Sequence, residues 1–178
     1  MENLIWGITG KPPERKPKLQ QVIQADDLSS EKGVNYTQLR DLLAAGKWKE
    51  ADEETFAVML KASSSEKERW LDSEYIKNFP CTDLRTIDQL WVKYSGGRFG
   101  FSVQKKIYLS VGGKANSEYY KEQVVQKFAD RVGWRVEGNF VDDSDVVFNT
   151  SAAEGHLPIW REYVYLWDIF SLVETCEV

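Results

Sequence analysis

Tyr94-Ser-Gly-Gly-Arg-Phe-Gly-Phe-Ser-Val-Gln-Lys-Lys-Ile-Tyr-Leu109 is the stretch on which the fold turns. Ahead of it, Leu84, Ile87, Leu90, Trp91 and Tyr94 fall on one face of a 3.6-residue period, which predicts a helix over 84–95 with Asp83 as its N-cap. Gly96-Gly97 stops that helix, and Phe101, Gln104, Ile107 and Tyr108 open another at once. Helix, tight corner, helix is therefore the expected local structure. Gly97 and Gly100 supply the backbone freedom a tight corner needs, while Phe99 and Phe101 fill the core behind it.

The pattern extends in both directions. Tyr36, Leu39, Leu42 and Leu43 stand at helical spacing, with Gly46 as a stop. A second helix presents Trp48, Ala51, Thr55 and Met59 on one side, flanked by Phe56 and Leu60. Glu50, Asp52, Glu53 and Glu54 crowd its first half, where the helix dipole favours acids. Ser63-Ser64-Ser65 breaks the pattern, and Trp70, Leu71, Tyr75, Ile76 and Phe79 predict a short helix ending at Pro80. Tyr120, Val124, Val125, Phe128 and Val132 mark another helix over 117–132. From Gly133 to Pro158 helical period is lost, with short extended pieces expected at 134–136 and 146–148. Ile159–Val173 is apolar almost all round and reads as a buried helix or strand. The fold class is mainly α: a compact helical bundle with long irregular loops. Residues 1–33 read as an extended arm or linker, and 34–178 as the domain. Pro12, Pro13 and Pro17 forbid a regular helix in the arm, 26–30 has linker composition, and Leu4, Ile5, Trp6 and Ile8 are its candidate anchors.

The composition excludes several functions. A chain of 178 residues is long enough for one domain with a real core. A net charge of −5 argues against nucleic acid and anionic membrane as partners. Arg15, Lys16 and Lys18 form only a short proline-broken cluster. No run of about 18 apolar residues exists to span a membrane. Cys81 and Cys176 lie far apart, without metal-type spacing and without a secretory signal, so they read as reduced thiols in a cytoplasmic protein. His156 is the only histidine, which rules out a two-histidine metal site. Neither a nucleophile elbow nor a phosphate-binding glycine loop occurs. The chain reads as a non-enzyme requiring no cofactor. Seven Trp, eight Tyr and eight Phe supply a core, and could also line a site for a flat ligand.

Several segments, in order, resemble one known family. Trp48-Lys-Glu-Ala-Asp52 places an aromatic ahead of an Ala-Asp pair. Phe79-Pro80, Asp83-Leu84, Thr86-Ile87 and Leu90-Trp91 mark a central helix. Gly97-Arg-Phe-Gly-Phe-Ser-Val-Gln104 follows, then Val132-Gly-Trp134 and Gly155-His-Leu-Pro158. This series is similar to the Genomes Uncoupled (fourth locus) family of tetrapyrrole-binding regulators of magnesium chelatase, and covers roughly residues 34–160. The resemblance implies a pigment-binding regulatory domain in a photosynthetic organism. Protoporphyrin or magnesium-protoporphyrin is the implied ligand, and the large porphyrin-binding subunit of the chelatase the implied partner.

In that family the ligand lies in a shallow apolar palm formed by two loops. The first corresponds here to Ser63–Ile76, with Trp70, Leu71, Tyr75 and Ile76 as candidate palm residues. The second corresponds to Arg135–Gly155, with Phe140, Val141 and Phe148, and Arg161 beyond it as the cation for the propionates. Ser73 stands where the family has an exposed Phe, the family's tryptophans in the second loop have no counterpart, and Asp142, Asp143 and Asp145 bring negative charge. Burying roughly 300 Å² of a porphyrin face is worth about 7 kcal/mol before costs, so specific contacts decide the affinity. Like charge near the propionates works against it. The alternative reading is a protein-interaction module that keeps the scaffold and has lost pigment binding. His156 reads as a turn-closing residue rather than an axial haem ligand, and Asp52 and Asp88 as capping or salt-bridge residues.

Overall fold

The computed structural model describes residues 25–67, 70–114, 121–159 and 166–178. Seven helices and one two-stranded hairpin lie within them: α1 (Thr37–Ala44), α2 (Trp48–Ser63), α3 (Ser73–Lys77), α4 (Cys81–Tyr94), α5 (Phe101–Ser110), α6 (Glu122–Val132), β1 (Arg135–Val136), β2 (Asn139–Phe140) and α7 (Leu166–Thr175). The mainly α expectation holds. No helix among the described residues is long and apolar enough to cross a membrane. The arm residues Leu4, Ile5, Trp6 and Ile8, and the cluster Arg15, Lys16 and Lys18, lie outside the described residues.

Periodicity builds the helices as the sequence requires. Leu39 and Leu43 of α1, the Trp48, Ala51, Thr55 and Met59 face of α2, and Leu84, Ile87, Leu90 and Trp91 of α4 are all buried. Two aromatic clusters anchor the interior. In one, Trp48 stacks on Trp91 at 6.0 Å between centroids, and Phe99 meets Trp48 edge-on at 5.6 Å. In the other, Tyr108 stacks on Phe170 at 4.6 Å, and Phe128 stands edge-on to Trp134 at 5.4 Å. Trp91 satisfies its buried indole N–H with Thr55 Oγ1 at 2.9 Å. The motif aromatics are thus core residues, as the turn-and-plug reading of the corner expects.

Three details depart from the sequence reading. Asp83 does not cap α4, which starts at Cys81 behind Pro80. The carboxylate is instead fully buried, taking the Tyr36 hydroxyl at 2.7 Å, the Glu31 amide at 2.9 Å and the Ser30 hydroxyl. Pro80 has no N–H and a fixed φ, so it opens the helix without a side-chain cap. The second strand of the hairpin is 139–140, with Arg135 opposite Phe140 and Val136 opposite Asn139, while 146–148 forms no strand. Glu137 and Gly138, both at positive φ, make the two-residue turn that selects this pairing. Third, Cys81 and Cys176 are not free thiols but form a disulfide across a Cα separation of 5.1 Å. The start of α4 and the end of α7 bring together residues 95 apart in sequence, within the range a disulfide spans.

The linker-like stretch 26–30 is stitched to α4. Asp26 accepts from the Tyr94 hydroxyl at 2.6 Å and pairs with Lys93, and the Ser29 carbonyl accepts from Thr86 Oγ1 at 2.6 Å. At the other end of the chain, Ile159–Val173 resolves into α7 over its later part. Ile169, Phe170, Leu172 and Val173 are buried, and α7 packs against α3 and α5.

Candidate functional site

The GRFG corner and the GHLP turn are one structural unit. Gly100 N–H donates to the Leu157 carbonyl at 3.0 Å, and Gly155 N–H to the Arg98 carbonyl at 2.9 Å. Gln104, buried, donates from one amide nitrogen to the carbonyls of Gly155 at 3.0 Å and Pro158 at 2.7 Å. Asp88 reaches across the corner to accept from Ser102 N–H at 2.9 Å, which satisfies an orphan donor at the start of α5. Burial pushes the Asp88 carboxyl up, while its bonds to the α5 backbone work in the opposite direction. Asp52 holds the exit of the turn by accepting from Ile159 N–H at 2.7 Å. Both carboxylates therefore serve backbone donors, as capping residues do.

The first candidate loop leaves α2 at Ser64, whose left-handed backbone ends the helix. Its candidate residues separate by burial. Trp70 is 54 % exposed, whereas Leu71 and Ile76 are 2 % and 1 % exposed and belong to the core. Tyr75 is half-buried and packs against that core. Asp72 caps α3, accepting from Glu74 N–H at 2.9 Å and Tyr75 N–H at 3.1 Å. On this loop Trp70 is the exposed ring, Tyr75 is partly covered, and Leu71 and Ile76 are interior residues.

The second candidate loop begins with the β1–β2 hairpin. Phe140 is 41 % exposed, while Val141 and Phe148 are half-buried against the core. Val146 is buried and Val147 exposed, so 146–148 presents one apolar edge outward. Asp142, Asp143 and Asp145 are exposed beside it. Two bonds fix the base of this loop: Val141 N–H to the Trp134 carbonyl at 3.0 Å, and Val147 N–H to His156 Nε2 at 3.2 Å. His156 is buried and its other ring nitrogen lies 2.7 Å from the Val132 carbonyl, so both nitrogens are engaged and neither is free for a metal.

The candidates stand on two segments of the chain. Trp70 and Tyr75 stand at α3, which packs on α7; Phe140, Val141 and Phe148 stand beyond α6, which leads into β1. Arg161 lies outside the described residues. A cation absent from the sequence reading appears instead at Arg135, cross-strand from Phe140 and on the same face of the hairpin, paired with Asp130 at 2.9 Å. The signal for it was the Val136-Glu137-Gly138-Asn139 turn, which sets the register. Val136, 57 % exposed, points from the opposite face.

Comparison with known proteins places this geometry. The GUN4-like family model matches residues 29–175. A Ycf53-like protein of Synechocystis sp. is 32% identical over 139 residues, covering 76% of this chain and 55% of that protein. The tetrapyrrole-binding protein, chloroplastic, of Arabidopsis thaliana is 31% identical over 123 residues, covering 68% of this chain and 46% of that protein. The chain thus spans about half the length of the curated relatives it matches. Among solved structures, GUN4 from Chlamydomonas reinhardtii superposes with a TM-score of 0.66 at 32% identity, covering 81% of this chain and 93% of that one. Ligand-free GUN4 of Arabidopsis thaliana gives 0.64 at 27% identity, over 77% and 93%. The family match begins at residue 29, inside the stretch that the structure stitches to α4. On its motifs, its helical order and these matches, the chain belongs to the GUN4-like family.

Proposed function

We propose that this chain is a non-enzymatic tetrapyrrole-binding regulatory domain that holds protoporphyrin or magnesium-protoporphyrin and stimulates magnesium chelatase through its large porphyrin-binding subunit. The observation that carries the reading is the exposure of Trp70 and Phe140 on the two loops that the resemblance assigns to the ligand, while the aromatics of the motifs themselves are buried. Large flat side chains left in water favour a flat apolar ligand that covers them. The chloroplastic relative that is named for tetrapyrrole binding supports the ligand class. We assign Tyr75, Val141 and Phe148 to the same site, with Leu71 and Ile76 as interior residues of the first loop, and Arg161 and Arg135 as the cations for the propionates.

The test is a titration with a water-soluble porphyrin and its magnesium form, read by quenching of tryptophan emission and by the shift of the porphyrin absorption band. Saturable one-to-one binding at micromolar concentration or tighter is expected, weakened about tenfold or more by Trp70→Ala or Phe140→Ala. No saturation at tens of micromolar sinks the reading. The exposed acids Asp142, Asp143 and Asp145 favour a second one, in which the same scaffold docks a basic protein surface. Failure of the titration would move the search there.

A further inference from the structure

Val147 and Phe148 lie in no strand, and among the described residues the Val147 backbone is tied to the core by a bond to the imidazole of His156. Its Nε2 accepts the Val147 N–H at 3.2 Å, and its Nδ1 lies 2.7 Å from the Val132 carbonyl at the end of α6. A carbonyl only accepts, so Nδ1 carries the proton and Nε2 keeps the lone pair. The Trp134 indole donates to the His156 carbonyl at 2.7 Å, which fixes the ring's own backbone from below. The backbone of Gly133 also lies close to this ring, and a Cβ there would stand at contact distance, 3.4 Å from Nδ1.

We infer that His156 is the positioning residue of the second loop: in its Nδ1-protonated form it joins the end of α6 to Val147, and so sets where the Val147–Phe148 edge stands for a flat ligand. This rests on the reading of that loop as part of the ligand site. The histidine itself touches no ligand, because it is buried behind the loop. Burial also holds the ring neutral by pushing its pKa down, which preserves the Nε2 acceptor at neutral pH.

Two substitutions separate the two bonds. His156→Gln carries an oxygen to about the place of Nε2 and keeps an acceptor for Val147. His156→Asn carries its amide only as far as Nδ1 and loses that acceptor. We expect the Val147 amide to exchange with solvent at least tenfold faster in H156N than in the wild type, and H156Q to recover most of the protection. Porphyrin affinity should follow the same order, falling about tenfold in H156N and partly recovering in H156Q. Equal Val147 exchange in all three proteins overturns the inference, as does unchanged affinity in an H156N whose loop is released. If H156N fails to fold, the ring nitrogens of the wild type decide the matter by NMR. A protonated Nδ1 with an unprotonated, hydrogen-bonded Nε2 upholds the clamp, and the opposite tautomer sinks it. A wild type that binds no porphyrin defeats the proposed function, and Val147 exchange then judges the clamp alone.

Discussion

Gly100 has φ near +130° and leaves no room for a methyl group: a Cβ there would stand 2.8 Å from Asp88 Oδ1 and 2.9 Å from Val92 Cγ2. Gly100→Ala therefore combines backbone strain with a clash and should destabilise the fold by about 2–4 kcal/mol, measured by urea denaturation. His156 allows a second test at this scale. Its folded pKa lies below the free value of about 6.5, so below that pH the unfolded chain binds a proton that the folded chain refuses. Stability should be level above about pH 7 and fall as the pH drops through 6.5 towards the depressed folded value. H156Q should lack that slope in urea midpoints measured between about pH 7.5 and 5.5. The glycine corner was legible in the sequence because turn geometry is local. The partner of Asp83 was not, because nothing near Asp83 announces a tyrosine 47 positions away.

At the scale of elements, periodicity located the helices well and their starts less well. The α4 face was readable from Leu84, Ile87, Leu90 and Trp91, but its first turn was misassigned. An Asp ahead of an apolar run has the composition of a cap whether or not its carboxylate turns elsewhere. The hairpin fared similarly. Val146–Phe148 has strand composition, yet the Glu137-Gly138 turn pairs β1 with the nearer 139–140 segment. The docking of 26–31 onto α4 uses polar bonds that no hydrophobic pattern reveals, beside the packing of Leu28 on the core. Tyr36→Phe deletes one of the three donors that the described residues give the buried Asp83 carboxylate, and should cost about 1.5–3 kcal/mol. Asp83→Asn should go further, speeding hydrogen exchange at the Glu31 amide, which loses its charged acceptor. An unchanged Glu31 rate in D83N would mean that Thr86 and Tyr94 hold the segment without it.

For the whole molecule, the order of motifs sufficed to recognise the family, since that order follows the chain. The candidate site was only half legible. The sequence indicated both loops, but not that Leu71 and Ile76 turn inward or that Arg135 shares a hairpin face with Phe140. Burial and register are properties of the assembled fold. The disulfide was misread for the same reason, because a separation of 95 residues says nothing about proximity until α7 returns to α4. Cys176→Ser should lower stability by about 2–4 kcal/mol, and reductant should lower the wild-type melting temperature while leaving the variant's unchanged. Covalently, that bond turns the chain into a closed ring with two tails. Any single cut between residues 82 and 175 opens the ring without releasing a piece. Trypsin acting at the exposed Lys114 or Lys121 would leave a nicked molecule of undiminished mass, apart from the water added, that separates into fragments only on reduction.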